Sequence, residues 1–392
     1  MNVDPIGAAA AHRLAATSAC SGPSAWPDYR CAVCSSPLRP VGPSHGMGPS
    51  AEFPDALQCA GCQQSYPRIN GITHLITAAD LARHQPFLDH YRRVRSGENW
   101  LPDPALLLTL PYPPPNTPHA AIWKRRARSF ERLLVVVQAQ SRGRSLAVLD
   151  LGAGPCWLSA RLARRGHQVE AVDVHIDAPD GLEAGDIFLN SSDEPSVADA
   201  SSSPRSRSRS WTFGRTRASL ERLPYGAEQF DLVVAAASLH YAQDLALAVQ
   251  EAARVLRPDG ALILLDTPLY RHAQTGAAVV AQRIANQRLS YASEGADVTG
   301  AAYIERGALR RAMVGACLSY REVSLHRPPR ALAGRLRRLI ARAIGCTEHA
   351  QMPLVLGIRH GRVQARSAPS REAPVMRTQG LNAPHQEGLP PC

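Results

Sequence analysis

The sequence predicts an α/β protein, a mostly parallel sheet with helices on both faces, preceded by a small cysteine-bearing module. Three observations predict it. From Ser145 onward, short apolar strand-like runs alternate with amphipathic helical runs. The first of these, VLDLGAGPCWLS (residues 148–159), passes from strand to helix through Gly-Ala-Gly. Upstream lie two C-x2-C pairs, Cys31-Ala-Val-Cys34 and Cys59-Ala-Gly-Cys62.

The elements follow in order. Residues 1–28 are Ala, Ser, Gly and Pro without sustained periodicity and predict a disordered lead. Residues 29–78 hold the cysteine pairs among turn formers. Residues 79–140 form a connector. It is helical over 80–95, broken by the Pro-rich LPYPPPNTP (110–118), and helical again over 120–140. Residues 141–363 carry the α/β pattern. SLAVLDLG is a strand, WLSARLARRG a helix ended by Gly166, and HQVEAVDV the next strand. The polar stretch at about 190–210 reads as a disordered surface insertion. EQFDLVVAAAS is then a strand, ALAVQEAARVL a helix, Arg257-Pro258-Asp259-Gly260 a turn, and ALILLD a strand. Residues 276–318 are mostly helical, and SYREVSLH and MPLVLGIRH read as antiparallel late strands. Residues 364–392 read as a disordered tail.

Composition narrows the class. Of 392 residues, 45% are hydrophobic but only 5% aromatic, so the core is built largely from Ala, Leu and Val. The net charge is +11, yet Lys124 is the only lysine among 44 basic residues. That skew is compositional and does not by itself select a nucleic-acid partner. Nine cysteines, odd in number and mostly scattered, argue against a secreted disulfide scaffold. No apolar run approaches the ~18 residues of a membrane span, and residues 8–11 are too short for a signal-peptide core. A cytoplasmic protein without a membrane partner is expected.

Between Cys34 and Cys59 lie 24 residues, 35 to 58. Each pair puts two soft sulfurs on one tight turn, and the intervening chain makes a hairpin. Four thiolates so placed close a tetrahedron around structural zinc, with no open position for catalysis. A thioredoxin-like redox motif would come singly, at the start of a helix. A module this small cannot fold on core burial alone, so metal binding would supply its folding energy. His74 is surplus to the ligand set of Cys31, Cys34, Cys59 and Cys62.

The glycine loop has the context of a nucleotide-type cofactor site. Gly152 and Gly154 permit a sharp turn and close backbone approach. Asp173, 23 residues after Asp150, ends the second strand, where a carboxylate can accept both ribose hydroxyls. A pyrophosphate wants helix N-terminal amides and a close third glycine. Pro155 and Cys156 stand there instead, and Pro155 has no amide. S-adenosyl-L-methionine has no phosphate and suits the loop better, with Asp150 facing its amino end.

In VLDLGAGPCWLS, VEAVDV (169–174), LERLPYGAEQFDLVVAAASLHY (220–241) and ARVLRPDGALILLD (253–266), the chain resembles the class I S-adenosylmethionine-dependent methyltransferases. The likeness spans roughly residues 120–360. It implies a Rossmann-like methyltransferase fold, with a mostly parallel seven-stranded sheet. It also implies a cofactor set of Asp150, Gly152, Gly154, Asp173, Ser219, Leu220 and Ser238. The cysteine pairs followed by YPRINGITHLI (66–76) resemble the small zinc-ribbon activator subunits of methyltransferases, and a ribbon fused to some ribosomal RNA guanine methyltransferases. The turn at Asn70-Gly71 suits a ribbon edge packed on a partner domain. Two departures stand out. Cys156 replaces the usual third glycine. Arg217-Ala218-Ser219 occupies the place of an acidic residue that binds the adenine amino group.

Methyl transfer needs alignment and exclusion of water more than a general base. His240 and Tyr241, after the fourth strand, are the catalytic candidates. Asp266 and Tyr270 lie at the same edge. By the resemblance, the segment with Tyr91, Arg95 and Glu98 folds over the cofactor as a lid, with Arg95 placed to meet the methionine carboxylate. Cys156 packs as a small hydrophobe. The acceptor is a small molecule or RNA, and no obligate protein partner is implied. The rival reading is a non-catalytic RNA- or protein-binding ribbon protein with a degenerate cofactor loop.

Overall fold

The computed structural model describes residues 27–41, 56–191, 211–291, 302–323 and 350–360. Residues 1–26 of the expected lead, residues 192–210 of the expected insertion and the expected tail (364–392) lie outside them. Residues 27 and 28, assigned above to the lead, belong to the fold. Gly226 N donates to Asp28 O at 2.8 Å, and Asp28 N donates to Gln229 Oε1 at 3.2 Å.

Strands β1 (Leu38–Val41), β2 (Ala56–Cys59), β3 (Ser65–Ile69) and β4 (Ile72–His74) form an antiparallel ribbon. Asn70 and Gly71 join β3 to β4 with φ of 50° and 72°, the left-handed pair that a tight hairpin requires. Helix α1 (Ala78–Gly97) follows at once. Thr77 accepts from Asp80 N at 3.0 Å and donates to Asp80 Oδ2 at 2.8 Å, which fixes where the helix begins. Helices α2 (Pro104–Thr109) and α3 (Ala120–Ser141) flank the Pro-rich break.

The α/β pattern then appears as β5 (Ala147–Leu151), α4 (Trp157–Ala163), β6 (Gln168–Asp173), α5 (Asp186–Asn190), β7 (Gly214–Arg217), β8 (Phe230–Ala236), α6 (Leu245–Val255) and β9 (Leu256–Leu265). The short strands β10 (Leu269–Tyr270) and β11 (Ile304–Glu305) pair with each other around α7 (Ala273–Tyr291). Helix α8 (Arg306–Gly315), β12 (Arg321–Val323) and β13 (Leu354–Ile358) complete the described chain.

The sheet order is β1-β2-β3-β4-β7-β6-β5-β8-β9-β13-β12. From β7 to β12 these are the seven expected strands. β7, β6, β5, β8 and β9 are parallel, and β13 is antiparallel between β9 and β12. The ribbon edge packs on the α/β domain by strand pairing. β4 pairs in parallel with β7 (Thr73 with Thr216, His74 with Arg217), so the ribbon extends the same sheet to eleven strands among the described residues. The ribbon thereby covers what would be an open edge strand. The expected turn at residues 257–260 is revised. β9 runs through it, with Asp259 at φ 64° and a register shift between the Phe230–Leu256 and Leu232–Ala261 pairs. It is a bulge within one strand.

Alternation along the central strands sorts the core into two layers. Val148, Leu232, Val234 and Ile263 face α3 and α4. Leu149, Leu151, Val233 and Leu264 face α6 and α8. Strands covered on both faces become near-continuous apolar runs, which is why they read so clearly. The ribbon has only a small cluster of its own, centred on Leu57, Tyr66, Leu75, Cys31 and Cys59. Among the described residues, no helix is long and apolar enough to cross a membrane.

The ribbon joins the sheet through a buried acid. Glu170 Oε1 on β6 accepts from Tyr29 OH at 2.9 Å, Thr216 Oγ1 at 2.5 Å and Tyr225 OH at 3.3 Å. Burial pushes the carboxyl up to about 7 from its usual 4.5, against the pull of these hydrogen bonds. Such a group ionises more readily in the unfolded chain, so stability falls as pH rises from about 4.5 to about 7 and then levels. The contribution is ~3 kcal/mol. Urea unfolding of Glu170→Gln across that range is expected to show a flatter pH profile than wild type. A profile of unchanged slope would rule out the assignment.

Candidate cofactor cleft and metal centre

The cleft lies at the carboxyl edge of β5, β6 and β8, where the strand order reverses, and α1 covers it. Its floor is the loop 152–155. Gly152 has φ 75°, and a Cβ there would lie 2.3 Å from Ser238 Cβ. Gly154 has φ 51°. Neither position admits a side chain without strain.

Asp173 stands on the rim. Gly154 N donates to its Oδ2 at 2.8 Å and His175 N to its Oδ1 at 2.9 Å. Both oxygens are thus held by backbone and each keeps a lone pair for a ligand hydroxyl. Ser238 and Leu220 also line the cleft, as does Tyr241, whose ring meets Phe87 at 5.4 Å and Tyr91 at 6.0 Å.

Five expected residues stand elsewhere. Asp150 lies beneath the loop, 1% exposed, where Ser159 Oγ donates to it at 2.7 Å. Burial pushes its carboxyl up to about 7. It joins α4 to β5 and is not part of the cleft lining. Ser219 lines a neighbouring groove and bonds His84 Nε2 at 3.1 Å. His240 does not line the cleft. It is buried with Nδ1 unpartnered, and burial, Arg283 and Arg126 together hold its imidazole neutral, down to about 3. Asp266 accepts from Ser129 Oγ at 2.8 Å and stands behind the lining. Tyr270 is buried away from the cleft.

Some residues in the cleft were not anticipated. Glu221 is an acid in the cleft lining, two residues beyond the stretch 217–219 where one was sought. The Ser219–Arg222 bridge folds the chain back, and Gln243 N donates to Glu221 Oε1 at 2.6 Å. His175 and Asp180 form a pair at 2.9 Å, and Asp180 also takes Arg95 Nε at 3.0 Å. The lid face of α1 consists of His84, Phe87, Tyr91 and Arg95, spaced by 3, 4 and 4 residues. Arg92 pairs with Asp177 and strengthens the latch. Glu98 accepts from Gln287 Nε2 at 3.0 Å and from Trp100 Nε1 at 3.1 Å, tying the end of the lid to α7.

Cys156 has φ 61°, a left-handed conformation that explains why a glycine is expected there. It is 0% exposed, and burial drives its thiol well above the ordinary range. That is the setting of an inert packing group.

The ribbon sulfurs converge. Cys31 and Cys62 Sγ lie 3.6 Å apart, Cys34 and Cys59 Sγ 3.4 Å apart, and all four lie within 4.8 Å of one another. A zinc tetrahedron with ~2.3 Å bonds has edges of ~3.8 Å. Val33 N donates to Cys31 Sγ, and Gly61 N and Cys62 N donate to Cys59 Sγ, all at 3.3 Å. The donor set fits a soft tetrahedral cation. His74 is not among the four ligands.

Residues 193–264 match a family model described as a methyltransferase domain. Comparison with curated proteins gives no match. Among solved structures, the chain is similar to the YcgJ protein of Bacillus subtilis, with 16% identity over 60% of this chain and 99% of that one, TM-score 0.39. It is similar to magnesium protoporphyrin IX methyltransferase of Synechocystis, with 16% identity, 64% and 92% coverage, TM-score 0.38. It is also similar to an arsenic(III) S-adenosylmethionine methyltransferase of Chlamydomonas reinhardtii, with 18% identity, 56% and 64% coverage, TM-score 0.34. With its seven-strand order and glycine loop, the chain has the Rossmann-like methyltransferase fold.

Proposed function

We propose that the protein is an S-adenosyl-L-methionine-dependent methyltransferase whose ribbon holds one structural zinc ion. The observation that carries this reading is the cleft itself. Two left-handed glycines, a rim carboxylate held by two backbone amides and a second acid at Glu221 surround a site with no phosphate cradle. When bound, the cofactor supplies an activated methyl group on a sulfonium.

The chain's own residues do the rest. Gly152 and Gly154 admit the ligand to the backbone, Asp173 accepts from ribose hydroxyls and Glu221 from the adenine amino group. Tyr91 and Arg95 close the lid and exclude water. Tyr241 presents its hydroxyl to the acceptor side, while His240 supports the turn behind it. Cys31, Cys34, Cys59 and Cys62 hold the zinc. The ribbon serves as a built-in support for β7 and, three residues further on, for the lid helix. The acceptor is a small molecule or RNA.

The test is transfer of a labelled methyl group from S-adenosyl-L-methionine into the small-molecule and RNA fractions of an extract from a deletion strain. Label is expected in one fraction with wild type, and reduced ~10- to 100-fold with Asp173→Ala, the scale of charge-assisted hydrogen bonds of 1.5–3 kcal/mol. No transfer into either fraction, with the ribbon still binding RNA or protein, would favour the non-catalytic alternative.

A further inference from the structure

Beyond the glycine loop the cleft continues into an aromatic box. Its walls are Trp100, Leu110, Trp123, Pro155 and Trp157, and Arg126 reaches into it from α3. Trp123 and Trp157 meet edge to face at 6.1 Å. Arg126 Cζ lies 4.7 Å from the Trp123 ring centroid and 5.6 Å from that of Trp100. Trp100 is itself fixed, stacked on His119 at 3.7 Å.

We propose that Arg126, braced by Trp100 and Trp123, is the subsite for the carboxylate of the methyl acceptor, so that the acceptor is a small acid with a flat apolar body. This rests on the methyltransferase reading.

Incompletely matched charge carries the inference. The cleft has two guanidinium groups. Arg95 is matched, since Asp180 takes its Nε at 3.0 Å. Arg126 has aromatic faces against it but no ion-pair partner among the described residues. Its acidic neighbour Asp266 attracts it without forming an ion pair, so the charge is matched only in part; that carboxyl accepts from Ser129 Oγ at 2.8 Å, and burial raises it against the pull of Arg126. A cation enclosed this way is costly unless an anion joins it. An acceptor carboxylate supplies that anion in the two-pronged geometry a guanidinium prefers.

The body follows from the walls. Indole faces, a proline and Leu110 leave apolar, flat surfaces with few donors. Leu110 is 0%, Trp123 6% and Trp157 8% exposed, so little of these walls meets solvent. Its far end meets the glycine loop at Pro155, which places a bound acid beside the cofactor floor.

The probe is benzoate, with benzyl alcohol as its neutral counterpart, titrated into the full-length protein saturated with S-adenosylhomocysteine. Benzoate is expected to bind in preference to benzyl alcohol. Arg126→Met, which keeps the packing volume, is expected to weaken benzoate at least ~10-fold and leave the S-adenosylhomocysteine Kd within ~2-fold. Arg126→Lys should retain part of the preference. Equal binding of the two probes, or of wild type and Arg126→Met, would overturn the proposal. So would a loss of S-adenosylhomocysteine affinity in Arg126→Met that decarboxylated S-adenosylmethionine does not share. That outcome would assign the carboxylate to the cofactor. Failure of wild type to bind S-adenosylhomocysteine at all would instead strike the methyltransferase reading and this inference with it.

Discussion

Cys59→Ser is expected to lose bound zinc, from about one ion per chain to about none, and with it the ribbon. Zinc binding in small modules is worth ~10 kcal/mol or more, and it is folding free energy. The ribbon's own cluster of buried apolar side chains is too small to replace that term. Cys59 also sits at the end of β2 and accepts two knuckle amides. The consequence reaches the cleft, because β4 is hydrogen-bonded to β7 and runs through residues 75–77 into the lid helix. The variant should therefore bind cofactor more weakly although none of the four ribbon cysteines lines the cleft. Elemental analysis of the purified protein checks the first part and titration with S-adenosylhomocysteine the second. Wild type without zinc, or Cys59→Ser with its full complement, would refute the ligand assignment.

Gly152→Ala is expected to abolish cofactor binding and to lower stability. A non-glycine residue at φ 75° costs ~1–2 kcal/mol. The new methyl would also stand 2.3 Å from Ser238 Cβ, so either the loop or the residues after β8 must move. Overpacking of this kind costs ~1–3 kcal/mol. Together these give ~2–5 kcal/mol, enough for a loss of affinity above 100-fold if the distortion falls on the bound state. Thermal unfolding and calorimetry on the same sample separate the two contributions. An alanine variant of wild-type affinity would mean that the loop does not approach a ligand closely.

The central strands were legible because β5, β6, β8 and β9 are covered on both faces and must be apolar throughout. The convergence of Cys31, Cys34, Cys59 and Cys62 was legible from spacing alone. The attachment of the ribbon was legible only in part. The Asn70-Gly71 turn suited an edge packed on a partner domain, but nothing in YPRINGITHLI names a parallel pairing with Thr216 and Arg217. Tertiary chain reversal hid Glu221, because the bridge between Ser219 and Arg222 turns the chain back after β7. His240 and Tyr241 were equal candidates by position. They lie in a single 3-10 turn (Leu239–Tyr241), where successive side chains diverge by about 120°, and here Tyr241 alone of the two lines the cleft. Asp150 illustrates the same limit. Its strand position is readable, but its partner, Ser159 on the following helix, is set by packing.

The most direct measurement is calorimetric titration of the full-length protein with S-adenosyl-L-methionine, wild type beside Asp173→Ala. The account predicts one site per chain in wild type and affinity ~10- to 100-fold weaker in the variant, whose fold is otherwise intact. No heat of binding in wild type, or indistinguishable isotherms for the two proteins, would contradict it.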